Sequence, residues 1–184
     1  MMSRGFQPIS ISQRMSWRTC DGAMKVLGVD PSLRSTGYAV LEGDRRGQRV
    51  LEYGVVKTRS GTSIPETIGR ITRGIEEVVW RHEPDCLAIE EVFTAQNSRV
   101  ALSLGHVRGA VILVCERCGL EIVSYGATRI KETVAGYGRA GKDQVQHMVV
   151  RTLRLTETPP PDAADALAAA LTHIYWSAER DFSG

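Results

Sequence analysis

Four acidic residues in this chain stand where a bare charge is costly: Asp30, Glu90, Asp162 and Asp165. Asp30 ends the apolar run Val26-Leu27-Gly28-Val29, and Glu90 ends Cys86-Leu87-Ala88-Ile89. A charge that closes a core strand sits where the strand emerges, and a site or a salt bridge is what keeps it there. Asp162 and Asp165 open an alanine-rich stretch. Their i, i+3 spacing puts them on one helical face, where two acids repel. Taken singly, two of the four have plain structural roles: Asp30 beside Pro31 is a turn former, and Asp162 after three prolines is a good helix N-cap. Taken together, two strand ends and one helix face can converge. Carboxylates a few ångströms apart raise one another's pKa and do not persist as bare charges. Hard divalent cations among the oxygens remove that conflict. The chemistry predicted is metal-assisted hydrolysis of a phosphate ester.

The positioning elements follow from periodicity. Residues 25–30 read as a buried strand. Residues 31–37 are rich in breakers and make a turn. Residues 38–42 and 50–58 read as two further strands around a hairpin at 43–47, so the first three strands form an antiparallel meander. Ile64, Ile68, Ile71, Ile75, Val78 and Val79 then recur at helical spacing, with Pro65 suited to the first turn of a helix over about 65–81. Pro84-Asp85 breaks the chain before a fourth strand, Cys86–Glu90. Alternation places Glu90 and Glu91 on opposite faces, and Glu90 is the one assigned to the cluster. A long helix over about 97–118 carries the small residues Ala101, Gly105, Gly109 and Ala110 and stops at Gly119. A fifth strand at 120–123, a short helix at 127–135, a Gly-rich basic loop at 136–142 and a helix at 143–153 follow. The last helix starts near Asp162, after three prolines, and runs to about 176. This order predicts an α/β chain with a five-stranded mixed sheet and helices on both faces. One domain spans 24–178, with 1–23 a flexible extension and 179–184 a short tail. Sites of open α/β sheets gather at the carboxyl ends of strands, where Asp30 and Glu90 stand.

The chain has 184 residues, 42% hydrophobic and 24% charged, which suffices for one sizeable core. No apolar run reaches the length of a membrane span. A net charge of +2 neither demands nor excludes a nucleic-acid partner, since a local basic patch is enough. Cys115 and Cys118 form a Cys-x-x-Cys inside an apolar helical pattern, with no second pair at zinc spacing. They read as small core residues. Nothing suggests a disulfide scaffold, so the expected setting is a reducing cytoplasm.

The stretch Leu27-Gly28-Val29-Asp30-Pro31-Ser32-Leu33-Arg34-Ser35-Thr36-Gly37-Tyr38 resembles the opening of the RuvC Holliday junction resolvases. So do Ala88-Ile89-Glu90-Glu91-Val92-Phe93, Gln144-Val145-Gln146-His147-Met148 and Asp162-Ala163-Ala164-Asp165-Ala166-Leu167-Ala168. The similarity runs from Met24 to about Trp176 in the family's order and spacing. One departure is Ser32, where the family usually has Gly after the Asp-Pro pair; Ser tolerates turns. The resemblance implies an RNase H-like fold, a homodimer, and Mg²⁺-dependent cutting of four-way DNA junctions in recombination and repair. It makes Asp30, Glu90, Asp162 and Asp165 the catalytic tetrad and the ligands of two Mg²⁺ ions, with Mn²⁺ suited to the same oxygens. Some family members carry His at the position of Asp162. Two cations about 4 Å apart would flank the scissile phosphate, with Asp30 the candidate bridge, leaving a 5′-phosphate and a 3′-hydroxyl.

Lys131 and Lys142 match family lysines implicated in DNA handling. Arg108, Arg129 and Arg139 are further candidate phosphate contacts. Phe93, just beyond Glu90, is a candidate for stacking on an unpaired base at the junction centre, and Gln96 and Asn97 are candidate DNA contacts. The helix over 97–118, with Leu102, Leu104, Val111 and Leu113, holds more apolar surface than one sheet face needs and is a candidate two-fold interface. A branch-migration complex of the RuvA and RuvB type is the implied partner. Two other readings compete: a related RNase H-like nuclease acting on another nucleic acid, and a catalytically silent junction-binding module, against which the intact quartet speaks. A sugar-kinase or actin-like ATPase shares a strand-Asp-turn-Thr-Gly hairpin like residues 30–37 but needs two domains, and this length has room for one.

Overall fold

A computed structural model describes residues 23–91 and 98–180. Phe93, Gln96 and Asn97 lie outside the described residues. Strands β1 (Met24–Asp30), β2 (Ser35–Gly43) and β3 (Gln48–Lys57) come first. Then follow α1 (Ile64–His82), β4 (Cys86–Glu90), α2 (Ser98–Arg117), β5 (Glu121–Tyr125), α3 (Ala127–Ala135), α4 (Lys142–Thr152) and α5 (Pro161–Arg180). The sheet order is β3-β2-β1-β4-β5, antiparallel through the meander and parallel from β1 to β4 to β5. This is the mixed five-stranded α/β arrangement that the sequence predicts. Among the described residues, no helix is long and apolar enough to cross a membrane.

Local sequence explains the element ends. Helix α1 opens with a reciprocal cap: the Ser63 side chain accepts from the Glu66 N–H, and the Glu66 carboxylate accepts from the Ser63 N–H. The β1–β2 turn closes earlier than predicted, so β2 starts at Ser35. The Thr36 hydroxyl, fully buried, donates to the Ser32 carbonyl at 2.7 Å and accepts from the Ser32 N–H at 3.2 Å. Ser32 therefore fits where the family has glycine. Among the described non-glycine residues, positive φ occurs at Glu83 and Arg154, not at Ser32. Strand β5 runs on to Tyr125, two residues past its predicted end.

Strand alternation sorts the core into two layers. Leu27, Val29, Val40, Leu87 and Ile89 face α1 and α2, where Ile71, Ile75, Val107, Val111 and Cys115 meet them. Cys115 is thus a core residue, its thiol pushed up to about 12 by burial. Val26, Ala39, Leu41, Cys86, Ala88, Val123 and Tyr125 face the other way, toward α5, α3 and α4. Helix α5 lies between the sheet and the α3–α4 pair, which is why Ala163, Ala164, Ala166, Ala168, Ala169 and Ala170 are all buried. Its backbone rests directly on β1 and β2. A Cβ on Gly28 would lie 2.0 Å from the Ala166 carbonyl oxygen, and one on Gly37 would lie 1.9 Å from that of Asp162. Only glycine fits at either place. These two positions set how low α5 sits, and so where its acidic first turn falls.

Candidate active site

The sheet register brings the acids together. Asp30 is paired with Gly37 on β2, and Val29 with Ile89 on β4, so Asp30 and Glu90 end adjacent parallel strands. Asp30 follows Val26 and Gly28 on the α5 face, and Glu90 follows Cys86 and Ala88 on that same face. Glu91 points the other way. The Asp162 backbone packs over Gly37, directly beside Asp30. Helix α5 begins at Pro161, and the Ala164 N–H already donates to the Pro160 carbonyl at 2.9 Å. Asp162 is thus inside the first turn and is not the N-cap. Asp165, one turn on, shares its face.

The acids act on one another's protonation. Burial, and then the charges of Asp165, Glu90 and Asp162, push the Asp30 carboxyl from 3.8 up to about 7, with Lys142 pulling the other way. Burial and then Asp165 raise Glu90, while Lys142 and Lys131 oppose the rise. Lys142 Nζ lies 3.0 Å from Asp165 Oδ2, and that hydrogen bond holds the lysine charged, its pKa raised. The lysine side chain is 79% exposed and the aspartate 25%, so the ion pair sits at the mouth of the cluster. Lys142 is the first residue of α4, and Gly141 before it is the cap. The preceding basic loop is tied down by the Tyr137 hydroxyl, which donates to Gln144.

Among the described residues, no three acid, histidine or cysteine side chains close around one point as a ready-made ion cage. One of the four, Asp165, is instead engaged by Lys142. The donor set nevertheless fits a hard divalent cation: four carboxylates, all oxygen, with no sulfur or imidazole among them.

The other predicted contacts divide. Lys131 and Lys142 both act on the acid cluster. Arg139 is exposed in the loop before α4. Arg129 stacks on Trp176, its guanidinium carbon 4.1 Å from the ring centroid. Arg108 turns inward: Nε donates to the Glu90 carbonyl at 3.2 Å, and a terminal nitrogen donates to Ser124 Oγ at 2.7 Å. That is a different task from the phosphate contact predicted for it. Val111 is fully buried against the sheet and contributes nothing to an outer face, which corrects its place in the predicted interface. Two further residues make tertiary contacts that the sequence pattern does not show, although Gln146 stands in one of the resembling stretches. Gln146 Nε2 donates to the Pro159 carbonyl at 2.9 Å and anchors the approach to α5. The buried His173, on α5 itself, has its ring Nδ1 2.9 Å from the Tyr125 hydroxyl at the end of β5.

Comparisons with known proteins point to one family. The family described as crossover junction endodeoxyribonuclease RuvC matches residues 26–173. Its namesake from Azoarcus sp. (strain BH72) is 43% identical over 153 residues, covering 83% of each chain. The one from Pasteurella multocida (strain Pm70) is 47% identical over 153 residues, covering 82% of this chain and 78% of that one. The structure of T. thermophilus RuvC in complex with a Holliday junction substrate superposes with a TM-score of 0.81 at 35% identity, covering 85% of this chain and 96% of that one. On a family match over residues 26–173, 43–47% identity to relatives over most of the length and a shared overall fold, this chain belongs to the RuvC crossover junction endodeoxyribonuclease family.

Proposed function

We propose that this chain is a divalent-metal-dependent nuclease that resolves four-way DNA junctions by paired, symmetric nicks. The observation that carries the reading is the cluster of Asp30, Glu90, Asp162 and Asp165 at one sheet end, flanked by Lys131 and Lys142. The substrate assignment is supported by the T. thermophilus relative, which is described in complex with a Holliday junction.

The four carboxylates would hold two Mg²⁺ ions, with Mn²⁺ an alternative. Bound there, such cations supply a water of lowered pKa and offset charge on the leaving 3′ oxygen. The chain's own residues do the rest. Asp30 serves as a ligand only after its carboxyl has given up its proton, because burial and three neighbouring acids favour the neutral form. Lys142 and Lys131 draw a phosphodiester to the sheet end, and Arg139 adds to that attraction from the loop. Lys142 would exchange the Asp165 carboxylate for a DNA phosphate, since its exposed stem can swing without disturbing α4.

A second copy of the chain completes the unit. On α2, Leu102 is 63% exposed and Leu113 is 56% exposed, and the space beside Gly105 and Gly109 between them is open. An apolar strip with a glycine floor lets a second α2 approach closely. A two-fold across it would give two acid clusters for the two strands cut at a junction.

The test is incubation with a labelled synthetic junction and with linear duplex, in Mg²⁺ or in EDTA. Paired nicks on the junction alone, requiring metal, are expected. Cutting of another nucleic acid in preference would assign a different RNase H-like nuclease, and binding without cutting would assign a silent module. Asp30→Asn and Glu90→Gln should abolish cutting while junction binding in EDTA persists; binding lost together with cutting would make the acids structural.

A further inference from the structure

Glu90 is the last residue of β4, and the pairing of β4 with β1 has already ended one residue earlier, at Val29–Ile89. On its other side Glu90 pairs with Tyr125, the last residue of β5. Among the described residues, the strand end that carries this acid therefore has no ladder partner on its β1 flank. Arg108 supports that end from the opposite layer. It stands on α2, next to the fully buried Val107, and reaches the sheet end with two nitrogens: Nε on the Glu90 carbonyl at 3.2 Å, a terminal nitrogen on Ser124 Oγ at 2.7 Å. Ser124 pairs with Ile89, so the planar fork spans β4 and β5 at their carboxyl ends. The cations that act on the Glu90 carboxylate are Lys142 and Lys131, on the other face. Arg108 thus addresses the Glu90 backbone and leaves the carboxylate to the cluster.

We infer that Arg108 is a positioning residue for the nuclease reaction: it clamps the ends of β4 and β5 from behind the sheet and fixes the direction in which the Glu90 carboxylate enters the metal site. The inference rests on the nuclease reading above. Lysine cannot replace the clamp, because a single ammonium does not reproduce two N–H donors in a fixed plane.

The experiment compares full-length wild type, Arg108→Ala, Arg108→Lys and Ser124→Ala by three measurements. These are binding of Mn²⁺ to the free protein, followed by electron paramagnetic resonance; junction affinity in EDTA as a function of salt; and kcat and KM for junction cutting. Partners that orient a metal ligand are worth about tenfold to a hundredfold in metal affinity or activity. Arg108→Ala should weaken Mn²⁺ binding and lower kcat by that factor, with junction affinity in EDTA within about twofold of wild type. Arg108→Lys should behave like the alanine variant. Ser124→Ala, which removes one arm of the clamp and no charge, should show a smaller loss of the same kind, and it keeps the inference open to refutation if Arg108→Ala does not fold. The inference is overturned if Arg108→Ala lowers junction affinity in EDTA and flattens its salt dependence while Mn²⁺ binding is unchanged, the behaviour of a phosphate contact. Rescue by lysine would overturn it as well. Mn²⁺ binding is read without DNA, so a wild-type protein that bound the ion but failed to cut junctions would sink the nuclease reading while the clamp could still be judged.

Discussion

Replacing Asp30 with Asn should make the metal-free protein more stable, and only above a definite pH. Burial, together with Asp165, Glu90 and Asp162, moves the Asp30 carboxyl from 3.8 to about 7. At about 1.4 kcal/mol per tenfold change in proton affinity, ionising Asp30 in the folded, cation-free state costs up to about 4 kcal/mol. The sign follows from linkage. A folded-state pKa above the unfolded one means that the unfolded chain binds fewer protons between pH 4 and pH 7. Stability therefore falls as pH rises through that window and levels off above it. Asn carries no charge at any pH and escapes the loss. Even half of the upper bound, about 2 kcal/mol, corresponds to roughly 4–8 °C in Tm for a chain of this size. The assay is thermal unfolding of wild type and Asp30→Asn in EDTA at pH 8 and at pH 4.5. The variant should melt well above wild type at pH 8, and the gap should shrink to about a quarter at pH 4.5. Adding Mg²⁺ at pH 8 should raise the wild-type Tm by mass action and leave the variant nearly unmoved. Equal melting temperatures at pH 8, or an advantage of the same size at both pH values, would refute the picture of mutually repelling buried carboxylates.

Two further outcomes concern the scaffold. Gly28→Ala should destabilise by about 2–3 kcal/mol, because the new methyl meets the Ala166 carbonyl oxygen at 2.0 Å and α5 must rise off the sheet. Gly47→Ala, with open space around it, is the control that should be neutral in urea unfolding. Glu52 accepts from Tyr38, Arg81 and His82 at 2.6–2.9 Å. Burial would raise its carboxyl, but those hydrogen bonds win and hold it at about 2, below its ordinary 4.5. Its contribution is therefore present above pH 4.5 and lost as pH falls toward 2. Solvent screening limits it to about 1 kcal/mol, so Glu52→Gln should cost that much in urea unfolding at pH 7 and progressively less in acid.

The acids were legible in the sequence because a charge at the end of an apolar run breaks a strong local pattern, and strand parity alone separated Glu90 from Glu91. The order and type of the elements were legible for the same reason: period-2 and period-3.6 runs alternate with clear Gly and Pro breaks. The closeness of α5 to the sheet was not. Gly28 and Gly37 look like ordinary strand glycines until the helix backbone is seen at contact distance above them. The contacts of Lys142 with Asp165, and of Arg108 with Glu90, were hidden as well, since they join residues 23 and 18 positions apart through tertiary packing. The two kinds of information have a physical division of labour. The pattern along the chain decides which residues are charged where charge is costly. The packing of small residues then decides how near they come, and nearness sets whether the acids stay separate surface charges or share one field, as Asp30 and Glu90 do. Asp162 illustrates it: by pattern it is a capping residue, yet one helical position and one glycine contact move it out of the cap and set its backbone over Gly37, the strand partner of Asp30. A chain with the same four acids but Ala at positions 28 and 37 should hold α5 further from the sheet, with the Asp30 carboxyl returned toward its ordinary range and the affinity for divalent cations weakened with it.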